Sequence, residues 1–180
     1  MKSIINFIVL MCSLLLITVS AMATEFNDGP IIKGFGKHAP VNQSRPLAGN
    51  EVFKVVFDVA KQTGEGKVNR QFNSLARFIN MHVANGIKPE NIHLALVVHG
   101  KAGLDVLSDA AYQKRYKQAN PNQPLLALLQ QANTQIFICG QSAAYYKIAK
   151  SELSQGVKMS LSAMTANALL QQQGYSVNPF

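Results

Sequence analysis

Two kinds of hydrophobic pattern alternate along this chain. Runs of β-branched and other apolar residues, typical of buried strands, occur at residues 51–60, 91–100, 134–140 and 157–161. Between the first two runs, apolar residues recur at helical spacing, at Phe72, Leu75, Ala76, Ile79 and Val83. Gly86 and Pro89 then predict the end of that helix.

The later part of the chain continues the alternation. Helices are predicted within residues 102–118, at 125–133, at 142–153 and at 163–173, and residues 175–177 predict a final edge strand. Strands that alternate with helices favour a parallel sheet, because each crossover returns the chain to the same end of the sheet. The pattern therefore predicts a three-layer α/β domain, with a mostly parallel sheet of about five strands and helices on both faces.

The first 23 residues have a different character. Lys2 precedes an uncharged apolar run at residues 4–19, and Ala21 and Ala23 have the spacing of a signal-peptidase site. We interpret residues 1–23 as a secretory signal peptide without a lipid anchor. The mature protein is then expected to be exported, for example to the periplasm, and soluble after cleavage, with no membrane association.

Two further segments follow the predicted signal peptide. Residues 24–50 are rich in Gly, Pro and Asn and show no period, so we expect an extended N-terminal arm. Residues 51–180 are expected to form a single α/β domain. With 180 residues, 48% of them apolar, the chain is long enough to bury one ordinary core.

The formal charge of +8 excludes few functions by itself. Nucleic-acid binders cluster basic residues on one face, whereas only residues 112–117 do so here, and a solvated helix explains that stretch equally well. We therefore expect no nucleic-acid partner. The charge favours solubility, or attraction of an anionic small ligand or partner.

Cysteine and histidine spacing argues against a metal site. Cys12 leaves with the predicted signal peptide, so Cys139 has no intramolecular partner for a disulfide. The four histidines are dispersed, without the spacing of zinc ligands. No metal and no other cofactor is expected.

The best candidate for chemistry is Cys139. Ligands of open α/β sheets bind at the carboxyl ends of the strands, and Cys139 and His99 both end predicted strands. The helix expected from Gln141 or Ser142 would present unpaired N–H groups to the sulfur, which favours the thiolate. Gly140 permits the tight turn between them. The alternative is that Cys139 is a buried, inert core residue.

The same loops allow further hypotheses about function. His99 and Gly100 are expected at the mouth of a ligand pocket, beside Gly140, Gln141 and Ser142, although His99 could equally hydrogen-bond a loop carbonyl. A hydrolytic triad of Ser142, His99 and Asp58 is a weaker hypothesis, because the sequence around Ser142 lacks the G-x-S-x-G spacing. Residues 64–67, "GEGK", lack the full phosphate-loop pattern.

Four segments taken together resemble one known family. "KVVFDVA", "IHLALVVHGKAG", "QIFICGQSA" and "GVKMSLSAMTANALLQQQGY", within residues 51–180, are similar to the DsrE/DsrF-like family of sulfur-relay proteins, in an exported branch. The resemblance implies a compact α/β fold that forms homo-trimers or hexamers. It also implies that Cys139 matches a cysteine that accepts sulfur as a persulfide, from or toward a partner protein. The relay members act in the cytoplasm, and the predicted signal peptide departs from them.

The sequence is therefore compatible with two functions. In the first, the protein carries sulfane sulfur as a persulfide on Cys139. In the second, it is a non-catalytic protein for small-ligand binding or oligomeric assembly, and Cys139 is structural. The sequence does not decide whether the chain is an enzyme.

Overall fold

The computed structural model describes residues 25–179. The predicted signal peptide and Cys12 lie outside the described residues. Five strands are present in the described part: β1 Phe53–Val59, β2 Ile92–Val98, β3 Gln135–Cys139, β4 Val157–Ser160 and β5 Ser176–Pro179. The α-helices there are α1 Arg70–Ala84, α2 Asp109–Tyr116, α3 Gln123–Gln131, α4 Gly140–Tyr145 and α5 Ala163–Gln172. Short 3₁₀ helices occupy Pro89–Asn91, Gly100–Val106 and Lys150–Glu152.

The strands form one sheet in the order β4-β3-β2-β1-β5, and every pairing is parallel. The prediction of a parallel five-stranded sheet is therefore confirmed, including the final edge strand. Because the strands are parallel, their carboxyl ends meet at one edge. In the register, Val59 of β1 pairs with Val98 of β2, and Cys139 of β3 pairs with Ser160 of β4.

Helices cover the two faces of the sheet unequally. On the first face, α1 and α3 pack over a core that includes Phe57, Leu96 and Ile138. On the second face a smaller cluster joins α5 to Val56, Val97 and Cys139. Burial of these apolar side chains is the main force that holds the layers together.

The helix predicted at residues 142–153 is wrong in length. The chain turns after α4, where Lys147 has a left-handed φ of 53°. The guanidinium of Arg115, on α2, donates to the carbonyl oxygens of Tyr146 and Lys147 at 3.1 Å and 2.8 Å. These donors satisfy carbonyls at the helix end from outside the segment, so local periodicity did not reveal where the helix stops.

The N-terminal arm lies along α1, with Ile32 only 1% exposed. Asn80 of α1 holds it: the Asn80 amide oxygen accepts from the N–H of Ile32 at 2.8 Å, and its amide nitrogen donates to the Ile32 and Phe35 carbonyls. Gly29 packs so closely on Asn80 that a Cβ there would lie 2.0 Å from it. The arm therefore obtains its hydrogen bonds from the domain rather than from regular secondary structure.

A buried carboxyl group holds the loop between β1 and α1. Asp105 is 1% exposed, and its Oδ2 accepts from Asn69 Nδ2 at 2.7 Å and from the Thr63 N–H at 3.3 Å. Burial raises the pKa of Asp105 to about 6, although these donors pull it downward. The Asn69 N–H in turn donates to Asn122 Oδ1 at 2.7 Å, which ties the loop to the start of α3.

This carboxyl makes stability depend on pH. The folded-state pKa of Asp105, about 6, lies above its ordinary value of 3.8, so the folded protein binds more protons between those values. The free energy of unfolding therefore decreases as the pH rises through that interval. We expect Asp105→Asn to stabilise the protein by roughly 1–3 kcal/mol near neutral pH, because an amide carries no charge to bury.

Urea unfolding of the wild type and Asp105→Asn at about pH 7.5 and about pH 5 measures this, and the difference should shrink at the lower pH. Asp28→Asn, an exposed position, controls for the general loss of a carboxyl. An advantage of Asp105→Asn that does not change with pH would contradict the assignment.

Candidate thiol site

Cys139 lies at the carboxyl end of β3, directly before α4. The residue is 6% exposed and packs against Ala163 and Ala166 of α5, yet it also lines an open cavity of about 330 Å³. Asp58, His99, Gln141 and Ser142 line the same cavity. The thiol is therefore largely buried but not sealed from solvent.

Backbone and hydroxyl donors lie near the sulfur. Burial by itself raises the pKa of the Cys139 thiol. Four groups lower that pKa: the backbone N–H and the hydroxyl of Ser142, and the backbone N–H groups of Ala163 and Gln141. Together these donors outweigh burial and hold the pKa below its ordinary value. The site therefore stabilises the thiolate, the nucleophilic form of cysteine.

The donors come from the starts of two helices. Gln141 and Ser142 belong to the first turn of α4, whereas Ala163 is the first residue of α5. A Cβ on Gly140 would lie 2.6 Å from the carbonyl oxygen of Ser160. Only glycine permits this approach, which brings the end of β4 and the start of α5 beside the sulfur.

Ser142 connects the thiol to the loop after β2. Its Oγ accepts from the Gly100 N–H at 2.9 Å, and its hydroxyl lies near enough to Cys139 to lower the pKa of the thiol. Gly100 has a φ of 51°, and a Cβ there would lie 3.0 Å from the Ala60 carbonyl oxygen. Because the Gly100 N–H uses only an acceptor position of Ser142, the hydroxyl hydrogen of Ser142 remains available to the thiolate.

A second polar group faces the cavity across from the thiol. His99 Nε2 lies 3.1 Å from Asp58 Oδ2, and Asn167 Nδ2 donates to Asp58 Oδ1 at 2.9 Å. Because an ionised carboxylate only accepts hydrogen bonds, this contact places an imidazole proton on Nε2. Asp58 therefore orients the ring of His99, and Asn167 orients Asp58.

The structure brings the sequence-predicted residues together at one edge of the sheet. Cys139, His99, Gln141 and Ser142 line the cavity, Gly100 bonds to Ser142, and Gly140 forms the turn. The Ser142 hydroxyl accepts from the Gly100 N–H and lies near Cys139, whereas His99 is bonded to Asp58. The arrangement therefore differs from the hydrolytic triad of Ser142, His99 and Asp58.

Sequence reasoning missed the contribution of α5. Ser162, Ala163, Met164 and Asn167 also line the cavity. Ser162 caps α5 through its Oγ, which accepts from the Thr165 N–H at 3.0 Å. The cap was recognisable in the sequence, but its closeness to Cys139 follows from the pairing of β3 with β4.

The described residues hold no group of three or more His, Cys, Asp or Glu side chains arranged to bind a metal ion. No helix within residues 25–179 is long and apolar enough to cross a membrane.

Comparison with known proteins identifies the family. The model of the DsrE/DsrF-like family matches residues 54–179. The chain belongs to the DsrE/DsrF-like family. The match covers all the helices described above and the sheet except Phe53, whereas the N-terminal arm lies outside it.

Solved structures support the fold of this family member. The ychN protein from E. coli is 23% identical, with a TM-score of 0.51, over 72% of this chain and 100% of its own. Protein MTH1491 from Methanobacterium thermoautotrophicum, a protein of unknown function, is 16% identical, with a TM-score of 0.50, over 71% of this chain and 99% of its own. These likenesses confirm the α/β fold. Comparison with the curated proteins found no match.

The Ser142 hydroxyl provides a test of the thiol's environment. We expect Ser142→Ala to raise the pKa of Cys139, because it removes one donor to the thiolate. Loss of a hydrogen bond worth about 1 kcal/mol would slow alkylation of Cys139 by iodoacetamide at neutral pH about fivefold. The pH dependence of the alkylation rate measures both effects.

The exposed Ser151→Ala is the matched control, and its alkylation rate should equal that of the wild type. Equal rates for Ser142→Ala and the wild type would show that the hydroxyl does not stabilise the thiolate.

Proposed function

We propose that this member of the DsrE/DsrF-like family carries sulfane sulfur as a persulfide on Cys139. The observation that carries the proposal is the set of donors from Gln141, Ser142 and Ala163 around a thiol that lines an open cavity. The same donors that stabilise a thiolate would also stabilise a persulfide anion, whose charge lies one atom farther into the cavity.

The proposed step is a sulfur transfer without net redox change. The Cys139 thiolate attacks the outer sulfur of a donor persulfide, R–S–SH. A new S–S bond forms between Sγ and that sulfur, using the thiolate's electron pair, while the S–S bond of the donor breaks. The donor leaves as the thiolate R–S⁻ and takes up a proton, and the transferred sulfur keeps its hydrogen. No external oxidant or reductant is needed.

In this proposal His99 assists the departure of the donor. Its Nε2 contacts Asp58, so the ring presents its other nitrogen away from that carboxylate. In its protonated form the imidazole can donate from that nitrogen to the departing thiolate. Asp58 and Asn167 act as positioning residues in this proposal.

The proposed carrier acts outside the cytoplasm. Residues 1–23 support export, because they combine Lys2, an uncharged apolar run and the A-x-A ending of a signal peptide. A sulfur donor or acceptor protein in that compartment is the proposed partner. Its active sulfur would have to enter the cavity of about 330 Å³ beside Cys139.

Intact-mass analysis tests sulfur transfer directly. We expect the purified protein to gain the mass of one sulfur atom after incubation with a cysteine persulfide donor, and Cys139→Ser to gain none. We expect His99→Gln to gain the same mass about tenfold more slowly, since loss of a general acid commonly costs that much or more.

A wild-type protein that remains at its original mass, while a model thiol is persulfidated under the same conditions, would contradict the carrier function. That result would favour the alternative, a small-ligand-binding or assembly protein in which Cys139 is a packing residue.

We also propose that the protein forms a homo-oligomer, a trimer or a hexamer, through the outer side of α5. Three apolar residues at and beside this helix are well exposed: Leu161 at 72%, Met164 at 79% and Leu169 at 52%. Tyr145 of α4 is 79% exposed as well. Because Met164 also lines the thiol cavity, such an interface would place a second subunit close to Cys139.

Light scattering tests the oligomer. We expect a mass of three or six protomers at micromolar concentration, and a lower mass for the double variant Leu161→Ser, Leu169→Ser, because each substitution removes apolar contact area. Val41→Ser, which removes an apolar side chain that is 69% exposed on the arm, should leave the mass unchanged. A monomeric wild type would overturn the proposal.

A further inference from the structure

A second cavity opens where the loop after β1 meets the start of α1; we call it the basic cavity. Its volume is about 400 Å³, larger than that of the thiol cavity. Three of its nine lining residues are cations, Lys61, Arg70 and Arg77, and the other six are uncharged polar residues. No carboxylate and no apolar side chain lines it.

The three cations have no anionic partner in the described part of the chain. The ion pairs found within residues 25–179 are His99 with Asp58 and Arg115 with Glu152. Arg77 is held in place by other means: its Nε donates to the Lys37 carbonyl at 2.9 Å, and its guanidinium lies 5.8 Å from the ring centre of Phe26. Three positive charges thus line one concavity without an ion-pair partner, and the buried carboxyl group of Asp105 lies behind Asn69 and Thr63. An anion bound among the cations would relieve their repulsion.

The start of α1 adds to the positive potential. Arg70 is the first residue of this 15-residue helix, and its first turn contains no acidic residue. A helix start normally favours acidic side chains, because its N–H groups carry partial positive charge. Arg70 therefore opposes the helix dipole at this position. A residue that opposes the local stability of its own helix in this way is expected at functional sites.

Hydrogen bonds hold the side chains of Asn69 and Asn73, which line the cavity, in fixed positions. Asn69 is 2% exposed and is bonded to Asp105, to the Lys61 carbonyl oxygen and to the Gln71 N–H. Asn73 uses its amide oxygen to accept from the Gly36 N–H at 2.8 Å, and its amide hydrogens have no partner among residues 25–179. Donors fixed before binding lose little entropy when a ligand arrives.

We propose that the basic cavity binds a small molecule through a multiply charged phosphate group. Lys61 and Arg70 supply opposite charge, and the hydroxyl group of Thr63 supplies a further donor. The volume is within the range of small-molecule sites, so there is room for an organic part beside the phosphate.

The basic cavity is separate from the thiol cavity but lies near it. The two share no lining residue. Lys61 follows Asp58 by three positions, so their Cα atoms are within about 11 Å by the reach of an extended chain. The basic cavity lies against α1 on the first face of the sheet, whereas the thiol cavity lies against α5 on the second. Phosphate binding therefore does not depend on sulfur transfer at Cys139.

Titration with inorganic pyrophosphate, followed by amide NMR shifts, tests the proposal. We expect saturable shifts concentrated in residues 61–77, at low salt, that weaken as the salt concentration rises. Lys61→Gln and Arg70→Gln should each weaken binding by about tenfold, the usual cost of a lost hydrogen bond to a charged group. The Cys139→Ser protein should bind pyrophosphate with the affinity of the wild type.

Lys88→Gln is the matched control for Lys61→Gln, because it removes one exposed positive charge beyond the far end of α1. It should change the affinity by less than about twofold, since the charge is screened at that distance. Shifts that do not saturate, or equal weakening by Lys88→Gln and Lys61→Gln, would overturn the proposal. Either result would indicate attraction to the net charge alone.

Discussion

The meeting of two helix starts at the sulfur of Cys139 is the interaction on which the thiol site depends. A thiol packed against Ala163 and Ala166 would ordinarily be held in its neutral form, because burial disfavours the thiolate. The N–H groups of α4 and α5 change that balance. They are available because the first residues of a helix have no intrahelical acceptor for their hydrogen bonds. The fold thus converts unsatisfied backbone donors into stabilisation of a side-chain anion.

The parallel sheet explains why so much polar chemistry gathers at one edge. Every strand ends there, so the loops after β1, β2 and β3 and the start of α5 are neighbours in space. On one side of this edge the loops build the thiol cavity, with Asp58 orienting His99. On the other side the loop after β1 and the start of α1 build the basic cavity. Asp105 and Asn69 are buried between the loops, and their hydrogen bond holds the residues of the basic cavity in place.

Much of the fold was predictable because its signals are local. The apolar runs that became β1 and β2 bury side chains on both faces, and a strand buried in that way appears in the sequence as a continuous apolar segment. The stripe from Phe72 to Val83 became α1. The end of α4 was not predictable, because Arg115 supplies the hydrogen bonds there from a different helix. Likewise, the arm has no pattern of its own, since Asn80 provides its partners.

The sequence alone determined the order of strands and helices, the position of Cys139 at a strand end, and the helix start beside it. These follow from hydrophobic period and from turn residues such as Gly140, which act over a few neighbouring positions. Only the tertiary structure decided that Asn167 of α5 reaches Asp58 of β1, 109 residues away, and that the N–H of Ala163 lies near Cys139. Such contacts depend on strand order and on the face that each helix covers, because side chains distant in sequence interact only after the sheet has placed them together.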